Sequence, residues 1–145
     1  MKRVITISVS VVLLSLITSS TSLAQRMISS ITVVFNTTTD DKDNDTYVQC
    51  QLLSADNHWL GSRDGQFGRF PNNSTYTLPL TLGEPNYSEE LLHGGRLMVL
   101  IIPNGHDTWV FTWQVIVSYN DGSQSIANGT GALDQNNNAF NLQVF

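Results

Sequence analysis

The chain has 145 residues, with 7 Lys and Arg against 12 Asp and Glu, and a net charge of −5. That length allows one domain with a substantial core and little more. The acidity argues against a nucleic-acid partner, since phosphate binding needs clustered Lys and Arg, and a single cysteine, Cys50, leaves no internal disulfide to form.

At the N-terminus, Lys2 and Arg3 precede an uncharged, mainly apolar run from Val4 to about Ile17. Small polar residues follow, and Ser22-Leu23-Ala24 fits a small-x-small cleavage site. These three parts predict a signal peptide over residues 1–24, and hence a secreted or periplasmic protein cleaved near Ala24. A membrane span needs roughly 20 apolar residues, more than this serine- and threonine-rich run supplies. The remaining residues, 25–145, keep five basic residues (Arg26, Lys42, Arg63, Arg69, Arg96) against twelve acidic ones, a net charge of −7.

From there the pattern is one of strands. Ile31, Val33 and Phe35 alternate with polar neighbours, as do Val48, Cys50 and Leu52, which makes Cys50 a small buried hydrophobe rather than a nucleophile. Tyr76, Leu78, Leu80 and Leu82 form a third alternating run, and Pro79 within it predicts a sheet edge. Residues 84–92 predict a short helical turn, with Leu91 and Leu92 packing down. Arg96 to Ile102 is apolar on both faces, as expected of a central strand covered on both sides, and His93-Gly94-Gly95 and Pro103-Asn104-Gly105 turn the chain before and after it. Trp109, Phe111, Trp113, Val115, Val117 and Tyr119 share one face of a long strand, and Asn120-Asp121-Gly122 predicts a hairpin at its end. Phe140, Leu142 and Val144 close the chain. Seven or eight such strands predict an all-β fold, a single antiparallel β-sandwich spanning 25–145.

The most distinctive stretch is an acidic loop. Asp40, Asp41, Asp43 and Asp45, with Asn44, fall within six residues between two strands. Carboxylates this close repel one another, and a hard cation such as calcium, bound through oxygen ligands, would offset the repulsion. Asp107 and Asp121 are candidate further ligands if their loops converge on the same end. The alternative is a solvated acidic turn, in which Asp and Asn bond their own backbone. An EF-hand is excluded, because Thr46 and Leu52 stand where that loop needs glycine and glutamate. Zinc has no Cys/His cluster to bind.

The threonine-rich acidic loop closed by Thr46, the following strand Tyr47–Leu53, and Asp107-Thr108-Trp109 leading into a long strand resemble PLAT/LH2 domains, which are C2-like β-sandwiches. The family's first loop carries glycines where this chain has Asp40 to Asp45. The resemblance implies a calcium-assisted module for contact with a membrane, a protein or a glycan. By position it implies Asp40, Asp41, Asp43 and Asp45 as loop ligands.

Other chemistry finds less support. No Gly-x-Ser-x-Gly elbow is present, and His58, His93 and His106 each sit near a turn without a nucleophile paired by sequence, so a non-enzymatic role is expected. A carbohydrate-binding module is the main alternative to a calcium-binding one. Trp59, between His58 and Gly61, is its candidate stacking aromatic, whereas Trp109 and Trp113 lie on a core-facing strand. A structural or adhesive surface protein without a small ligand is a third possibility. Glycosylation sequons begin at Asn36, Asn44, Asn72, Asn73, Asn86 and Asn128, and have meaning only in a eukaryotic secretory pathway.

Overall fold

The computed structural model describes residues 25–145; the expected signal peptide lies outside the described residues. Eight strands follow in order: β1 (Ile28–Thr37), β2 (Tyr47–Leu53), β3 (Trp59–Gly65), β4 (Thr75–Leu82), β5 (Arg96–Ile102), β6 (Thr108–Tyr119), β7 (Gln124–Asp134) and β8 (Ala139–Gln143). They pair antiparallel in the order β7-β6-β1-β4-β3-β2-β5-β8. The β3–β4 seam is narrow, with only Gly61↔Leu82 and Ser62↔Thr81 in register. There the sheet folds over, and two four-stranded halves enclose the core. This is the all-β antiparallel sandwich that the alternation predicts.

The core follows from period-two burial. Ile31, Val33 and Phe35 of β1, Val48, Cys50 and Leu52 of β2, and Trp109, Phe111, Val115 and Val117 of β6 are all buried. Burial also pushes the Cys50 thiol far above its usual range, which suits a packing role. Each buried indole has a partner for its N–H: Trp109 Nε1 donates to Thr37 Oγ1 at 3.0 Å, and Trp113 Nε1 donates to the Thr130 carbonyl at 3.2 Å. On β7, Gly129 and Gly131 lie against the Trp113 and Phe111 rings, where an added Cβ would collide with ring carbons. The low apolar content of β7 is therefore a packing requirement of β6.

Pro79 lies on β4 opposite Thr32 of β1, short of the two residue pairs that join β4 to β3. β4 is thus an inner strand, between β1 and β3, and not the edge strand that the proline predicts; Pro79 is accommodated because the β3 side is unpaired at its position. The predicted turn at 84–92 contains a 3-10 helix, Glu89–Leu92, with Leu92 buried. β5 differs from expectation. Leu97, Val99 and Ile101 face the core, but Met98 and Leu100 are only half-buried and Ile102 is 54% exposed. The strand lies between β2 and β8, and its outer face has no layer over it. Its apolar content thus reflects one buried face and a partly screened outer one.

Candidate functional site

The antiparallel path sends alternate loops to opposite ends of the sandwich. One end gathers the β1–β2, β3–β4 and β5–β6 loops, and the acidic residues lie there. Asp107, 5% exposed, accepts hydrogen bonds at Oδ2 from the Asp43 N–H at 3.2 Å and from the Thr46 hydroxyl. Asn104 Nδ2 donates to Asp45 Oδ2 at 2.8 Å. Loops 39–46 and 103–108 therefore converge. Asp121 sits elsewhere, in the β6–β7 hairpin, where Ser123 N–H and Oγ donate to its carboxylate at 2.9 and 2.5 Å and hold its pKa below the usual range. β6 separates it from Asp107, roughly 36 Å at the usual rise per strand residue.

A residue that sequence reasoning left unremarked organises the acidic end. Lys42 is fully buried. Its ammonium donates to three backbone carbonyls, those of Asp43 at 2.7 Å, Gln66 at 2.8 Å and Thr46 at 3.0 Å. It also lies 4.8 Å from the centroid of the Phe70 ring, a cation–π contact. The backbone is clamped at the same place, where Lys42 and Phe70 exchange N–H to carbonyl bonds at 3.3 and 3.0 Å. Burial lowers the Lys42 pKa from 10.5 to about 8, against the opposing pull of Asp107, Asp43 and Asp45. The loop thus holds a cation of its own.

The other aspartates have partners or face water. Arg69 pairs with Asp41, and this hydrogen bond holds the Asp41 carboxyl below its usual range. Asp40 is exposed and receives a 3.5 Å contact from Thr39 Oγ1, while its carbonyl accepts from Val110 N–H at 3.0 Å. Among the described residues, no three His, Cys, Asp or Glu side chains are gathered as a metal site would need.

The opposite end carries a different feature. Trp59 opens β3 with 60% of its surface exposed, whereas Trp109 and Trp113 are 0% and 5% exposed. It borders an open groove of about 300 Å³ that is also lined by Asn57, His58, Gly83, Glu84 and Tyr87. The groove is locally built. Ser54 ties the β2–β3 turn, accepting from His58 N–H at its hydroxyl and from Asn57 N–H at its carbonyl, both at 3.1 Å. Arg96 reaches across to the Asn57 side-chain oxygen. Tyr87 donates to the Trp59 carbonyl at 2.9 Å, and Gly83 lies so close to both that a Cβ there would strike them. Burial, followed by the Glu84 charge, raises the Tyr87 pKa, so the hydroxyl stays protonated and able to donate. The result is an apolar ring face beside an amide, an imidazole, a carboxylate and a phenol.

Of the candidate residues, Asp40, Asp41, Asp43, Asp45 and Asp107 lie on the two converging loops without three of their carboxylates gathering at one point, and Asp121 and Trp59 lie at the far end. Glu84 and Tyr87 join Trp59 from a loop about 25 residues downstream, a proximity that only the β3–β4 pairing creates. No protein-family model matches the chain, and no curated protein sequence matches it.

Proposed function

We propose that this chain is an exported, non-enzymatic carbohydrate-binding β-sandwich module whose ligand stacks on Trp59. One observation carries the reading: the protein buries two of its three tryptophans and leaves the third 60% exposed at the mouth of a polar groove. An indole that combines an apolar ring face with a polar groove beside it is suited to contact with a ligand that is itself apolar on one side and polar at its rim. A pyranose offers an apolar C–H face to an indole and hydroxyls to surrounding polar groups. Asn57, His58, Glu84 and Tyr87 supply donors and acceptors of the right kind. Binding to immobilised glycans, followed by titration calorimetry on any hit, tests the reading. Trp59→Ala should lower affinity at least about tenfold, near 1.4 kcal/mol. Absence of glycan binding, or an unchanged affinity in Trp59→Ala, would sink it.

The convergence of loops 39–46 and 103–108 favours a second reading, a C2/PLAT-like module that takes calcium at its acidic end to contact a membrane, protein or glycan. Asp43, Asp45 and Asp107 would form its nucleus. That reading requires millimolar calcium to raise the melting temperature, and Asp41→Ala with Asp43→Ala to abolish the rise. The buried Lys42 ammonium counts against it, because a divalent ion there would meet a positive charge already in place.

A further inference from the structure

We propose that two copies of this chain associate edge to edge through β7, about a two-fold axis at Ile126. β7 ends the strand order and pairs on one side only, with β6. The register runs unbroken from Thr108↔Asp134 to Ser118↔Gln124. Two observations fix which β7 residues face outward. At the hairpin, Tyr119 N–H donates to the Ser123 carbonyl at 3.0 Å, so odd-numbered residues bond toward β6. Val110, opposite Ala132, spends its own N–H and carbonyl on Asp40 and Thr38, away from β7. Antiparallel pairs alternate between bonded and non-bonded. The even-numbered residues of β7 therefore aim their N–H and carbonyl groups off the sheet.

The far half of this edge is capped. The Thr130 carbonyl accepts from the Trp113 indole, and the Ala132 carbonyl accepts from Asn137 Nδ2 at 3.3 Å. Along Gln124, Ile126 and Asn128, the outward main-chain groups meet no partner among the described residues. Sheet edges are ordinarily protected by charge, proline or a bulge. Gln124 to Leu133 contains no charged residue and no proline, and the pairing shows no bulge.

The occupant follows from symmetry and charge. With the axis at Ile126, Gln124 pairs with Asn128 of the second copy, and Ile126 pairs with Ile126 of the second copy. The even-numbered residues paired in that register are outward-facing, so each such pair can exchange two backbone hydrogen bonds. The side chains match as well. Ile126, 53% exposed, meets its own counterpart, beside the half-buried Ile116 on the same outer face. The flanking Gln and Asn amides each donate and accept. Copies of a chain with net charge −7 over residues 25–145 repel one another in general. An uncharged edge is where that repulsion is least.

Sedimentation equilibrium of the purified chain tests the proposal. Wild type should form a dimer. Ile126→Lys places a charge on the axis and should weaken association at least about tenfold. Ile126→Pro should do the same, because it removes an outward N–H and spares the ladder to β6. Ile102→Lys, at the equally exposed β5 isoleucine, should leave the dimer intact. If Ile126→Pro unfolds the chain, Ile126→Lys, which alters only a solvent-facing side chain, decides the matter. A wild type that stays monomeric up to about 1 mM overturns the proposal. So does a dimer that survives Ile126→Lys, an open-ended polymer, or pairing only with a different protein.

Discussion

At the end built from the β1–β2, β3–β4 and β5–β6 loops, a lysine and an aspartate are turned inward and hydrogen-bonded by the chain itself. At the end that holds the β2–β3 turn, an indole stays in water beside an open polar groove. The first arrangement closes the core beneath the aromatic cluster of Phe35, Phe70, Trp109 and Phe111, whose rings sit 4.0–5.4 Å apart. The second leaves surface available. The charges of the first end are therefore committed to one another, and the polar groups of the second face water. Substitution should cost most at the acidic end, where the groups are buried, and least at the groove.

Lys42→Met keeps the alkyl stem and removes the ammonium. It leaves the Asp43, Thr46 and Gln66 carbonyls without their donor and the nearby carboxylates without a counter-charge. A loss of about 3 kcal/mol is expected, which lowers the melting temperature by roughly 10 °C in a domain of this size. A variant as stable as wild type would show that the lysine decorates the loop without organising it.

The same ammonium gives the acidic end a pH signature. Its pKa falls from 10.5 to about 8 on folding. Between those values the unfolded chain holds more protons than the folded one, so stability should rise with pH across that window and be flat with respect to Lys42 below it. The gain should be about 3 kcal/mol, read as the difference between wild type and Lys42→Met under chemical denaturation. A fall with rising pH would mean that the three carbonyls hold the charge more tightly than burial penalises it.

At the groove end the expected costs are smaller. Gly83→Ala presses a methyl group against the Trp59 carbonyl and the Tyr87 hydroxyl. The loop is exposed and can yield, so about 1–2 kcal/mol is expected. The indole should shift with it, visible as a change in tryptophan fluorescence. An unaltered spectrum would show that Gly83 does not set the pose of Trp59.

How much of this was legible beforehand depended on what holds each element. β1, β2, β4 and β6 carry an alternating apolar face, and their strands and buried residues follow from it. β3 has no such face: Gly61, Ser62, Arg63 and Asp64 form a strand because β2 pairs with them, from Val48↔Gly65 to Leu53↔Trp59. β5 was legible as a strand but not in its cover, since an apolar sequence does not say whether a second layer lies above it. The exposure of Trp59 could be anticipated from its polar neighbours and lack of alternation. The inward turn of Lys42 could not. One lysine among aspartates looks solvated until Phe70 and the Gln66 carbonyl, more than twenty residues downstream, arrive beside it.

Trp59→Ala should have the smallest effect on stability and the largest on binding. The side chain is 60% exposed and makes no hydrogen bond through its indole; its carbonyl, which Tyr87 uses, is main chain and survives the substitution. Surface changes away from caps and networks fall within about 0.5 kcal/mol. A core tryptophan replaced by alanine costs about 3–5 kcal/mol, so Trp109→Ala is the natural contrast: fully buried, stacked 4.0 Å from Phe111 and bonded to Thr37. Paired melts of the two variants separate an aromatic kept for packing from one kept for contact. If Trp59→Ala destabilised the chain by several kcal/mol, Trp59 would be part of the scaffold, and the difference drawn between the two ends would fail at the residue on which it chiefly rests.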